Sequence, residues 1–336
     1  MSSRLVILVL ICAAVLSAAP YKNKTRRHPR AARKPAQLKL DTGAINNPAQ
    51  AAIGPEARRE AVVRAQILLE RAHFSCGEMD ANFGPNLQKT LAAYQTDRKL
   101  PVTSSVDVAT WSALNADKAP VLMSYTITPE DEAGPFVPVP KDLMKQAELP
   151  ALGYASPLDE LAERFHASHA LLKALNPGAD FTRVGQQLMV PNVMTLPPPE
   201  AASLVVSKTE SSVRAFAADG RLLAFYVATI GSEHDPLPVG NWKIRGVQRN
   251  PVFHYNAKLF WDAHNPHEKA RIPAGPRNPV GLVWIDLSKE HYGIHGTPNP
   301  SQVGHATSHG CIRLTNWDAL ELAAMVKPGT PAIFKE

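Results

Sequence analysis

The chain has 336 residues, of which 45% are hydrophobic and 20% charged, a balance that excludes disorder of the whole chain and allows two or three packed domains. Its net charge of +6 belongs to one end: residues 1–40 hold nine Lys and Arg and no acid, which leaves 27 bases against 30 acids in the remainder. The folded part is therefore slightly acidic, and the basic stretch reads first as a solvated tail, with anionic lipid head groups or wall polymers as the alternative contacts.

Arg4, the apolar run Leu5–Leu16 and the small residues Ser17, Ala18 and Ala19 read as an export signal over residues 1–19. The run falls short of the roughly 18 apolar residues of a comfortable membrane span. Whether cleaved or kept as an N-terminal anchor, it puts the rest of the chain in the periplasm or cell envelope, away from nucleic acid. Of the three cysteines, Cys12 lies in this signal, leaving Cys76 and Cys311 in a compartment that oxidises thiols. They lie far apart in different segments and do not read as a disulfide framework. Each is either a packed small hydrophobe or a reactive thiol.

Residues 20–56, rich in Lys, Arg, Pro and Ala without periodicity, read as a basic disordered leader. From residue 57 to 117 the spacing predicts three short helices: Val62, Val63, Ile67 and Leu69 on the first, Leu87, Leu91 and Tyr94 after Pro85 on the second, Trp111 and Leu114 on the third. The string Gly77-Glu-Met-Asp80-Ala-Asn-Phe83-Gly84-Pro85, with Tyr94-Gln95, Leu100-Pro101 and Ala109-Thr110-Trp111, resembles the peptidoglycan-binding domain of wall enzymes. In that pattern Asp80 and Gly84 shape a loop, while Phe83, Tyr94 and Trp111 read as core, and Cys76 as a packed residue.

Residues 122–193 open on a strand at Tyr125–Thr128. After a Pro-rich insertion they continue with a helix capped by Ser156 and started by Pro157, a second helix ending before Asn176-Pro177-Gly178, and a returning strand at 185–191. This order is similar to a LysM glycan-binding module, although the insertion departs from that compact pattern and leaves a spacer as the alternative. Pro197-Pro198-Pro199 reads as a stiff linker. From residue 203 to 336 short β-branched and aromatic runs, a hairpin signal at Asp219-Gly220 and one late helix near Trp317–Met325 predict a mostly β domain. The fold class expected overall is multidomain α+β.

The chemistry concentrates in Tyr292-Gly-Ile-His295-Gly296-Thr297-Pro298 and Ser308-His309-Gly310-Cys311-Ile312-Arg313-Leu314. A free thiol has a pKa of roughly 8.5, so a cysteine nucleophile gains from an imidazole that takes its proton. Flanking glycines permit tight turns and close approach of a substrate backbone. These strings, with Pro236-Leu-Pro-Val-Gly240-Asn-Trp, Gly275-Pro276-Arg-Asn278-Pro279-Val-Gly281 and Trp284-Ile-Asp-Leu, resemble the L,D-transpeptidase, or YkuD-like, catalytic domain, a β-sandwich fold.

That resemblance implies Cys311 as nucleophile, His295 as its base and the Gly296 carbonyl as the group that fixes the imidazole tautomer. Backbone N–H groups of Cys311 and Gly310 become the oxyanion donors, with His309 near them. Ser308 and Arg313 become loop-organising or substrate-carboxylate groups, Arg being suited to bidentate carboxylate binding. It further implies release of D-Ala from a peptidoglycan stem, a thioacyl enzyme and capture by the amine of a second stem as a 3→3 cross-link, by another amine such as an envelope protein's lysine, or by water in an L,D-carboxypeptidase. No metal or cofactor is implied: the chain lacks His-Glu-x-x-His, and Asn265-Pro266-His267-Glu268 does not place two histidines on one helix face. Papain-like and NlpC-like peptidases place Cys before His, the reverse of the order here. A wall-binding protein without catalysis is the non-enzymatic alternative.

Overall fold

The structure, a computed structural model, describes residues 39–263, 265 and 267–336; the expected export signal and most of the basic leader lie outside them. The first module holds helices α1 (Thr42–Asn46), α2 (Arg59–Arg71), α3 (Pro85–Asp97) and α4 (Val108–Leu114) and a short strand β1 (Phe74–Ser75). The second holds β2 (Leu122–Thr126), α5 (Pro129–Ala133), α6 (Leu143–Gln146), α7 (Pro157–Arg164), α8 (His169–Leu175) and β3 (Gln187–Pro191). The third holds β4 (Ser203–Ser207), β5 (Ser212–Phe216), β6 (Leu222–Val227), β7 (Thr229–Ile230), β8 (Gly240–Arg249), β9 (Phe253–Asn256), β10 (Lys269–Ile272), β11 (Val283–Leu287), β12 (Gly293–His295), β13 (Ile312–Arg313), α9 (Asn316–Met325) and β14 (Pro331–Lys335).

Local chemistry sets the helix starts. Asp107, Ser156, Ser168 and Thr315 each accept a backbone N–H of the first turn of α4, α7, α8 and α9, satisfying donors a helix leaves open. Pro85 and Pro157 start α3 and α7, where a missing N–H costs nothing. The hairpin at Asp219-Gly220 joins β5 to β6, with Gly220 at φ +83°. Within α2, residues Val62, Val63, Ile67 and Leu69 are fully buried, as are Leu91 of α3 and Leu114 of α4, while Tyr94 and Trp111 are core and Cys76 is packed.

One difference concerns the leader. Its end is folded: Asp41 caps α1 through Gly43 N–H at 2.9 Å, and Ile45 and Ile53 are buried. Ile53 exchanges backbone bonds with Val106 at 2.9 and 3.2 Å, and the Trp111 indole N–H donates to Ala51 O at 2.9 Å. These partners lie more than fifty residues on, so no periodicity within residues 41–53 announces them.

A second difference is that the modules share a core instead of hanging on linkers. β1 adds to β6 in parallel, Phe74 opposite Phe225, and so extends a ten-stranded sheet of order β1-β6-β5-β4-β14-β8-β11-β12-β13-β7. Phe225 and Val227 of β6, and Val303 after β12, pack into the same hydrophobic cluster as Val63, Ile67, Leu91 and Trp111. The second module runs strand, helix, helix, strand, with β2 and β3 antiparallel over its own cluster of Leu161, Phe165, Leu172 and Leu188. Its Pro-rich insertion carries α5 and α6 and then clasps the third module: Leu152 N–H donates to Ala274 O at 2.9 Å and Arg277 N–H to Leu152 O at 3.0 Å.

Candidate functional site

β12 lies between β11 and β13. Trp284 pairs with His295 on one side, while Ile294 pairs with Ile312 and His295 with Arg313 on the other. Ile294 and Ile312 are wholly buried in the core of the third module. Because side chains alternate across a strand, His295 and Arg313 turn to the opposite face, and Cys311, one residue before β13, follows the same alternation. The Trp284 indole stacks on the His295 imidazole, centroids 5.4 Å apart with 18° between planes.

His295 is buried, and its Nδ1 lies 2.6 Å from the Gly296 carbonyl oxygen. A carbonyl can only accept, so Nδ1 carries the hydrogen and Nε2 keeps its lone pair. Burial, reinforced by the Arg313 guanidinium, pulls the imidazole down to about 3 against the bond to Gly296. Burial also pushes the partly exposed Cys311 thiol up, although the Gly293 N–H and Arg313 work the other way. Both shifts favour a neutral thiol and a neutral imidazole at rest, the state from which an imidazole acts as a general base.

The loop before Cys311 is held by Ser308, whose N–H donates to Gly231 O at 2.9 Å and whose hydroxyl donates to Cys311 O at 2.6 Å. Gly310 stands at φ +90°, and a β-carbon there would crowd the Tyr292 ring, so glycine meets both the backbone and the space. Among the described residues the N–H groups of Gly310 and Cys311 have no acceptor, the condition an oxyanion site requires. His309 is engaged elsewhere: its Nε2 lies 2.9 Å from Asp262 Oδ1, and its ring packs edge-on to Phe260. Trp261, beside them, lies with its ring 4.1 Å from that of His234, tilted by 30°, and is 59% exposed. Arg313 is deeply set next to Cys311, and its Nε has no hydrogen-bond partner among the described residues.

The structure thus gathers Cys311, His295, Gly296, Gly310, Ser308 and Arg313 about the β12–β13 edge and turns His309 toward the loop after β9. Sequence reasoning did not reach Asp262 and Asn316. Asp262 is linked to the site only through a loop contact 47 residues away, which no local signal marks. Asn316 follows the cysteine motif closely but lies just ahead of the helix expected near Trp317–Met325, where nothing in its spacing marks it.

Fold and site together define a class: a β-rich domain carrying a candidate cysteine–histidine acyl-transfer site, fused to a helical module. Residues 201–334 match the family model described as "L,D-transpeptidase catalytic domain", and residues 58–114 match that described as "Putative peptidoglycan binding domain". The "Putative L,D-transpeptidase YkuD" of Bacillus licheniformis is 34% identical over 175 residues, covering 52% of this chain and 90% of that protein. Its namesake from Bacillus subtilis is 33% identical over 178 residues, with the same shares covered. The "Probable L,D-transpeptidase YbiS" of Escherichia coli is 28% identical over 188 residues, covering 54% of this chain and 61% of that protein. The chain belongs to the L,D-transpeptidase family.

Proposed function

We propose that this protein is a cell-envelope L,D-transpeptidase that works through a Cys311 thioester. The Cys311 sulfur attacks the carbonyl between residue three and the terminal D-Ala of a peptidoglycan tetrapeptide stem while its proton passes to His295 Nε2. The resulting oxyanion is met by the N–H groups of Gly310 and Cys311. As the C–N bond breaks, His295 returns the proton to the departing D-Ala amine, leaving the stem as a thioester. The side-chain amine of a second stem then attacks, His295 takes its proton, and expulsion of the thiol yields a 3→3 cross-link.

The observation that best supports this reading is the 2.6 Å bond from His295 Nδ1–H to Gly296 O, which leaves Nε2 its lone pair on β12, the strand paired with the β13 that Cys311 precedes. The first module supplies the expected contact with wall polymer, and Arg313 suits a stem carboxylate. Product analysis tests the outcome: the protein is incubated with disaccharide-tetrapeptide as donor and acceptor. A 3→3 dimer with one D-Ala released per link supports transpeptidation. Free tripeptide alone identifies a carboxypeptidase, and unchanged donor counts against an enzyme.

A further inference from the structure

The loop that leaves His295 is pinned at two points, and both pins lead to the second module. The first is Asn316. Its Oδ1 accepts Leu282 N–H at 3.1 Å and sits against the Cα atoms of Gly296 and Gly281, where a β-carbon on either residue would overlap it. Its Nδ2 donates to Pro276 O at 3.1 Å and to Glu163 Oε1, on α7, at 2.9 Å. The second is Arg277. Its Nη1 donates to Pro298 O at 2.6 Å, three residues beyond His295, while its Nε donates to Asp159 Oδ2 at 3.0 Å and its Nη2 to Asp159 Oδ1, again on α7. Nη1 also lies 3.6 Å from Glu163 Oε2, and Tyr154 closes the network by donating its hydroxyl to Glu163 Oε1 at 3.1 Å.

From this geometry we infer that Glu163 and Asp159 of the second module are positioning residues for His295, acting through Asn316 on Gly296 and through Arg277 on Pro298. The Gly296 carbonyl that fixes the imidazole tautomer belongs to the residue against which Asn316 rests. Turning Asn316 moves that carbonyl, and with it the imidazole whose Nδ1 it holds at 2.6 Å. The second module thus holds, from α7, the loop that follows His295. Asp159 and Glu163 are each 7% exposed, so their partners cannot be replaced freely by water. Burial holds the Glu163 carboxyl above the usual range despite Arg277, so a neutral group at 163 is tolerated and Gln is the conservative variant.

The role rests on the cysteine–histidine reading above, and the test separates the two. The single-turnover rate of Cys311 acylation by a carbapenem and the NMR signal of the His295 Nδ1–H are measured for wild type, Glu163→Ala, Glu163→Gln and Leu172→Ala. Leu172 is fully buried in the second module's own cluster, so its truncation lowers the melting temperature without removing a hydrogen bond of the network. Glu163→Ala is expected to slow acylation at least about tenfold, as small misplacements of a catalytic group do, and to shift the Nδ1–H signal. Glu163→Gln, which still accepts from Asn316 and Tyr154, and Leu172→Ala keep the wild-type rate and signal. Should Glu163→Ala fail to fold, Asn316→Ser is read the same way. A folded Glu163→Ala protein with the wild-type rate and signal overturns the proposal, as does equal slowing by Leu172→Ala. If wild type is not acylated at all, the thioester reading fails, while the Nδ1–H signal still reports whether Glu163 positions His295.

Discussion

Acidification separates this site from an ordinary cysteine–histidine pair. His295 is held neutral down to about 3 by burial and Arg313, whereas an unperturbed imidazole titrates near 6.5. At pH 5 an ordinary imidazole would be only about 3% in its basic form, and a rate carried by it would fall roughly thirtyfold from its plateau. With the group at about 3 that fall does not occur. Acylation of the protein by a carbapenem, followed by intact mass from pH 8 to pH 5, should stay nearly flat on the acid side. The same shift bears on stability. Between pH 6.5 and 3 the unfolded chain binds a proton at His295 that the folded chain refuses, so stability present above 6.5 is lost as the pH falls through that window, by up to roughly 5 kcal/mol. A His295→Gln variant should lose less over the same interval in denaturant titrations. A rate that halves near pH 6.5 would refute the reasoning.

Four further outcomes follow. Gly296→Ala forces its β-carbon into Asn316 Oδ1, an overpacking that typically costs about 1–3 kcal/mol; urea melts should show that loss, and carbapenem acylation should slow with it. The Asp318 carboxyl is pushed up by burial and by Glu70, so the folded chain keeps a proton that the unfolded chain releases above its ordinary value. Its share of stability is thus lost as pH rises above the ordinary carboxylate range, and Asp318→Asn should lessen the fall of melting temperature that this proton contributes. Burial pushes the Cys76 thiol far up, so a disulfide reagent should modify Cys311 and spare Cys76 in the folded protein, and Cys76→Ala should keep activity. Residues 200–336 expressed alone should melt well below residues 39–336, because Phe225 and Val227, both nearly fully buried, lose the helices that cover them.

The parts of the fold legible in the sequence were those written locally. The hairpin at Asp219-Gly220, the caps at Ser156 and Pro157 and the apolar faces of α2 and α3 depend on residues a few positions apart. The motif around Cys311 and His295 was legible through its residue types and its resemblance to a family signature, and the strands that carry it set Ile294 and Ile312 in the core. What escaped depends on distance. The folded end of the leader needs Val106 and Trp111, the β1–β6 pairing joins residues 151 positions apart, and Glu163 meets Asn316 across 153. Pro197-Pro198-Pro199 is stiff by composition, but composition does not say that the modules on either side already share a core.

The most direct test of the central claim is the intact mass of wild type and Cys311→Ala after incubation with disaccharide-tetrapeptide, with peptide mapping of any adduct. The account predicts a wild-type adduct equal to the donor minus D-Ala, mapped to the peptide containing Cys311 and missing from the variant. An adduct that persists in Cys311→Ala, or cross-linked product made by that variant, would contradict it.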